Sequence, residues 1–198
     1  MDPHASEPGD GILDLADHSP GDEAAVKRER VARALSAVGL VLEIPLPPPP
    51  PVREGARARI RLHVAPGGRL VMYRRRTHEP VPPPLDRMAR PAVAMAVRAL
   101  VGALGGFPGM DGGEVEIRAD ARHAVAVLHP PRGRRIHGAA RLAPLLGPAG
   151  AVALEGRRVA GDPRVELPVA GLVLRFGPLT FFQGHPAARD RLVAYLVG

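Results

Sequence analysis

One stretch of the sequence, GARARIRLHV at residues 55–64, constrains the fold more than any other. Apolar and basic residues alternate along it with a period of two, which is the pattern of a β-strand buried on one face. The turn sequence APGG follows at 65–68, and RLVMYRRR at 69–76 can return as a second strand. The sequence therefore predicts a hairpin with one buried face and one basic face, the latter formed by Arg57, Arg59, Arg61 and His63.

The patterns along the rest of the chain predict an α+β fold with a largely antiparallel sheet and about four helices. Ser19-Pro20 begins a helix that Gly39 ends, and a second, apolar helix runs over 91–104. A short helix near 138–146 and a last helix over 186–197 complete the set. We predict strands at 41–44, 115–119, 125–128, 151–155, 164–167 and 172–176.

These elements divide the chain into four predicted segments. The first is acidic and polar, and we expect it to be poorly ordered. A helix with a short strand, a stiff polyproline linker and the main α+β domain follow. The predicted segments are 1–18, 19–44, 45–52 and 53–198.

Positive charge is concentrated in the hairpin. Residues 53–76 contain eight arginines and one acid, a local charge of +7, and the whole chain also carries +7, so the remainder sums to zero. Guanidinium groups at alternate strand positions lie about 7 Å apart and can each bind a phosphate oxygen pair. We expect Arg57, Arg59 and Arg61 to contact nucleic acid together with Arg74, Arg75 and Arg76. A solvated face in an Arg-rich proteome would give the same pattern, so both interpretations stand.

Composition excludes several kinds of chemistry. The chain has no cysteine, which removes disulfides, thiolate metal sites and a cysteine nucleophile. The histidines show no metal-ligand spacing, and no Gly-rich phosphate loop or nucleophile elbow is present.

We expect a cytoplasmic protein without a membrane span, because no apolar run reaches about 20 residues. Glu114 and Glu116 share one strand face and are interpreted as a solvated edge rather than an acid/base pair.

The segment GPLTFFQGHP at 177–186 contains half of the four phenylalanines in the chain. We expect Phe181 and Phe182 to anchor this turn in the core. Gln183 then either caps the following helix or presents its amide to a ligand.

This segment resembles the F-F-Q-x-N motif of the RNA (uracil-5-)-methyltransferases, which make 5-methyluridine in tRNA and rRNA. Phe181, Phe182 and Gln183 match, and His185 stands in place of the asparagine. Residues 53–81 are similar to the central hairpin of that family. Residues 19–35 are similar to the helix that follows its C-G-G-C iron–sulfur motif, but residues 10–13, DGIL, carry no cysteine where that motif would lie.

The resemblance implies the substrate-side region of such an enzyme. It places Gln183 and Phe182 beside S-adenosylmethionine, with no iron–sulfur cluster, and it implies tRNA or rRNA as partner. The donor-binding domain and the nucleophilic cysteine of the family are not found in this sequence, so we expect no activity and negligible S-adenosylmethionine binding by this chain alone. Three accounts remain open: half of a split enzyme that needs a separate catalytic polypeptide, an RNA-binding module, or a structural remnant with no RNA role.

Overall fold

The computed structural model describes residues 20–39, 55, 57–74, 77–169, 171–182, 190 and 193–194, which form two units. In the smaller unit, α1 (Pro20–Ser36) begins and ends as predicted, and Gly39 adopts a φ of 75° after it. Val31 of this helix and Val38 just after it are exposed. The same unit includes a turn in which Thr77 Oγ1 donates to the Arg74 carbonyl and accepts from the Glu79 amide.

The larger unit is built on a seven-stranded sheet, which confirms the α+β class. Its strand order is β3-β2-β1-β4-β5-β6-β7, and β5 and β6 pair in parallel whereas the neighbouring pairs from β2 to β5 and β6–β7 are antiparallel. A separate antiparallel hairpin consists of β8 and β9. The strands are β1 (Arg59–Ala65), β2 (Arg69–Tyr73), β3 (Pro80–Val81), β4 (Glu114–Ala119), β5 (Ala124–His129), β6 (Ala151–Leu154), β7 (Arg157–Ala160), β8 (Val165–Val169) and β9 (Leu172–Phe176).

The predicted hairpin at 55–76 forms, with the alternation that the sequence indicates. Ile60, Leu62 and Val64 of β1 are buried, and burial of each side chain contributes about 1.5–3 kcal/mol. The turn Pro66–Gly68 needs its glycines, because Gly67 and Gly68 both have positive φ and Gly68 packs directly on the backbone of Gly105.

One face of the sheet is covered by helical segments. A short helix, α2 (Leu85–Met88), precedes α3 (Pro91–Leu100), which packs against β4 and β5 through Val93, Val97 and Leu100. The helix expected over 91–104 thus ends at Leu100, and Gly102 follows with a φ of 82°. The predicted helix near 138–146 is a 3-10 helix over Ala139–Leu146.

The other face is covered by the β8–β9 hairpin. A second apolar cluster joins β8 to the outer part of the sheet, and the Asp120 carboxylate ties the two together by accepting the Glu166 amide at 2.8 Å. The main members of the cluster are Val125, Val127, Ala151, Ala153, Val165, Leu167, Val169 and Phe182.

The strands expected at 115–119, 125–128, 151–155, 164–167 and 172–176 are confirmed to within a few residues. Strand β7 was missed, because its exposed residues show no alternation of apolar and polar positions. The predicted tail, the strand at 41–44 and the polyproline linker lie outside the described residues, as does most of the last helix. No helix among the described residues is both long enough and apolar enough to cross a membrane.

Candidate nucleic-acid interface

The basic face of β1 lies beside β4, a pairing that the sequence does not predict. Antiparallel register sets Arg59 opposite Arg118, Arg61 opposite Glu116, and His63 opposite Glu114. Directly opposite residues of an antiparallel pair point to the same face, so these six side chains share one surface.

Glu116 is the centre of this surface. Its side chain is 1% exposed, which contradicts its interpretation as part of a solvated edge. It accepts hydrogen bonds from Arg59 Nη2 at 2.7 Å, from Arg61 Nη2 at 3.1 Å and from Arg118 Nε at 2.5 Å. A buried carboxylate needs such partners, because an unpaired charge in the protein interior is costly. Two arginines on the basic face of β1, Arg59 and Arg61, are therefore paired with a carboxylate of the same protein. We call Arg57, Arg59 and Arg61 the arginine row.

The pKa of Glu116 reflects this environment. Burial by itself raises its pKa, but the hydrogen bonds from Arg59 and Arg118 outweigh burial and lower it to about 2. Glu116 is consequently ionised throughout the physiological pH range. Burial lowers the pKa of His129, and the positive charge of Arg61 lowers it further, so this imidazole favours its neutral form.

The arginines of the row differ in how far they are committed to carboxylates. Arg59 is bound by Glu116 and is mostly buried, whereas the Arg61 side chain is 49% exposed although it contacts both Glu116 and Glu114. Arg57 lies just before β1 and is exposed, and none of the described carboxylates pairs with it. Partial burial of its guanidinium group lowers its pKa.

The two phenylalanines of the FFQ segment have different surroundings. Phe182 is 4% exposed and packs on Phe176 with ring centroids 4.9 Å apart, as expected for a core anchor. The Arg118 guanidinium lies 5.3 Å from its ring centre and donates to the Gly177 carbonyl. Phe181, in contrast, is 73% exposed, so its expected place in the core is wrong.

The exposed Phe181 ring lies next to the arginine row. Its centroid is 5.5 Å from the Arg59 guanidinium carbon, within the range of a cation–π contact. Further apolar side chains are exposed nearby in the chain, on β9 and in the turn after it: Leu172, Val173, Leu174 and Leu179.

Four further residues were predicted to bind RNA or a cofactor: Arg74, Arg75, Arg76 and Gln183. Arg74 belongs to the smaller unit, where its Nε lies 3.1 Å from Glu79. Arg75, Arg76 and Gln183 lie outside the described residues.

The sequence analysis did not predict that Glu116 and Arg118 belong to this surface. The available signal was the sequence EVEIR at 114–118, which places charged residues at alternate positions, as the β1 segment does. No group of His, Asp or Glu suited to a metal ion occurs in the part of the chain that the structure describes. No family model matches the chain, and no curated protein was found to be similar to it.

Proposed function

We propose that this chain is an RNA-binding domain that uses the surface formed by the β1 arginines and Phe181. The observation that carries the proposal is the exposed Phe181 ring beside Arg59. An aromatic ring next to a row of cations is the combination that binds single-stranded nucleic acid, because bases stack on the ring while cations contact the phosphates. The RNA partner would be tRNA or rRNA in the cytoplasm.

The ion pairs with Glu116 neutralise part of the positive charge of this surface, which counts against the proposal. The arginines nevertheless keep N–H donors that can bind phosphate. Three guanidinium groups, those of Arg59, Arg61 and Arg118, are set against the two carboxylates of Glu114 and Glu116. Each guanidinium has five N–H donors, and the bonds to Glu116 use only some of them. Glu116 also fixes the orientation of Arg59 and Arg61, which reduces the entropy lost when a phosphate binds.

The FFQ resemblance suggests which RNA-binding domain this is. We propose a substrate-side domain like that of the RNA (uracil-5-)-methyltransferases, acting with a separate polypeptide that binds S-adenosylmethionine and supplies the nucleophile. Exposed apolar side chains at Leu172, Val173 and Leu179, close in the chain to the FFQ segment, support such a partner, because exposed apolar side chains are suited to packing against another domain.

One observation favours the alternative of a structural remnant with no RNA role. Arg59 and Arg118 both donate hydrogen bonds to the buried Glu116 carboxylate, so these arginines have a structural purpose without any ligand. In that case the exposed charge of Arg57 and Arg61 would be merely solvated.

The experiment replaces Arg57 and Arg61 by Gln together and leaves Arg59 to hold Glu116. Fluorescence anisotropy with a labelled oligouridylate should then give weaker binding and a log–log salt slope smaller by about 1.4, since each phosphate contact on a single strand adds about 0.7. The matched control replaces Arg98 and Arg164, whose exposed guanidinium groups pair with Asp86 and Asp162. Equal binding curves for the two double variants would remove the β1 surface from the proposal.

A further inference from the structure

A second basic surface lies in the loop between β5 and the 3-10 helix, residues 130–138. The chain has no Asp or Glu between Asp120 and Glu155, and this acid-free stretch contains five arginines and three histidines. Three of the arginines fall within four residues of the loop: Arg132, Arg134 and Arg135.

These three guanidinium groups differ from those of Arg59 and Arg61 in having no carboxylate partner among the residues that the structure describes. All three side chains are exposed, and none of the acids in the described residues forms an ion pair with them. Arg59 and Arg61, by comparison, are bound by the buried carboxylate of Glu116. An uncompensated cation releases more counterions from a polyanion than one that is already neutralised by its own protein. We therefore expect the loop to attract phosphate more strongly than Arg59 and Arg61 do, although β1 has the more regular pattern in the sequence.

Two close backbone contacts flank the first part of the loop. A Cβ on Gly113 would lie 2.5 Å from the His129 carbonyl oxygen, and one on Gly109 would lie 2.4 Å from the Arg135 carbonyl oxygen. The two glycines thus allow the backbone to pack closely at His129 and at Arg135, and the Arg134 amide donates to the Pro131 carbonyl between them. A fixed backbone with exposed arginines loses less entropy on binding than a mobile tail would.

The position of the loop links it to the β1 surface. The sheet register sets His129, the last residue of β5, beside Glu114 and His63 at one end of the row. The chain leaves the sheet at that point and enters the loop. Along β1, Arg59 and His63 are about 13 Å apart at about 3.3 Å per residue, a distance that a few nucleotides can cover.

We propose that the 130–138 loop binds the phosphates of a single-stranded RNA whose bases reach the Phe181 end of the β1 surface. This inference rests on the proposed RNA-binding function and names the element that supplies most of the phosphate affinity.

The test is a triple variant, Arg132→Gln, Arg134→Gln and Arg135→Gln, assayed by anisotropy with a ten-nucleotide oligouridylate. Three lost contacts should lower the log–log salt slope by about 2 and the affinity by about tenfold or more at low salt. The change should exceed that of the Arg57/Arg61 double variant. The matched control, Arg33→Gln, Arg98→Gln and Arg164→Gln, removes the same charge from exposed, paired positions and should bind almost as the unmodified protein does.

The outcomes separate this inference from the function on which it rests. If the unmodified protein binds RNA and the loop variant matches its control, the loop inference is wrong and the RNA-binding function stands. If the unmodified protein binds no RNA at low salt, both are wrong. Binding to phosphatidylserine vesicles that the loop variant loses, without RNA binding, would assign the loop to a membrane surface and overturn the inference. Circular dichroism melts of all variants should coincide, since the loop arginines are exposed.

Discussion

Replacing Glu116 by Gln tests whether this buried carboxylate holds the arginine surface together. The folded protein lowers the pKa of Glu116 from its ordinary 4.5 to about 2, because hydrogen bonds from Arg59 and Arg118 outweigh the effect of burial. One pKa unit corresponds to about 1.4 kcal/mol, so the ionised carboxylate contributes about 3 kcal/mol to the free energy of unfolding at neutral pH. The variant should lose about that amount. It also removes the negative charge beside the Arg118 guanidinium, which is 2% exposed and pairs with no other carboxylate in the described part of the chain.

The pH dependence gives the prediction a second, independent readout. Because the pKa is depressed on folding, the contribution is complete above about pH 4.5 and is lost as the pH falls toward 2. The variant lacks this contribution at every pH. The difference in unfolding free energy between the two proteins should therefore be largest at pH 7 and should shrink below pH 4.5. Urea titrations followed by far-UV circular dichroism measure it, since the chain has no tryptophan.

Glu114→Gln is the matched control on the same strand. Its side chain is 33% exposed and lies 3.4 Å from Arg61 and 3.5 Å from His63, so it should contribute at most about 1 kcal/mol. A Glu116 variant as stable as the Glu114 variant, or a stability difference independent of pH, would refute the reasoning.

Other changes probe the FFQ segment and the hairpin turn. Phe181→Ala should weaken oligouridylate binding about tenfold by anisotropy with an unchanged salt slope, since it removes stacking and no charge; an unchanged affinity would exclude stacking. Phe182→Ala should instead lower the free energy of unfolding by about 3 kcal/mol, because that ring is buried. Gly68→Ala should cost about 3 kcal/mol or more in urea titrations, since its Cβ would meet the Gly105 nitrogen at 2.1 Å. Gly67→Ala, with a similar φ but open space, should cost only about 1–2 kcal/mol, and equal costs would contradict the packing argument. Calorimetry should detect no S-adenosylmethionine binding to this chain, and a clear binding heat would show that it has a donor site.

Local sequence patterns were sufficient for much of the fold. The alternation at 57–64 sets the buried face of β1 without reference to any other strand, and the glycines at 67 and 68 mark its turn. Strand β7 cannot be predicted from such a pattern, because both of its faces carry exposed side chains. Its position follows instead from its pairing with β6.

Tertiary structure decided which arginines of the basic face are paired with a carboxylate. The sequence by itself determined that Arg57, Arg59 and Arg61 share one side of an extended segment. Only the pairing of β1 with β4, more than 50 residues away in the chain, decided that Glu116 lies opposite Arg61. A slip of one residue in β4 would turn Glu116 to the other face and leave those arginines unpaired. The tertiary structure likewise decided that Phe182 packs in the core while its neighbour Phe181 lies exposed beside Arg59, because two adjacent side chains in an extended segment point to opposite sides.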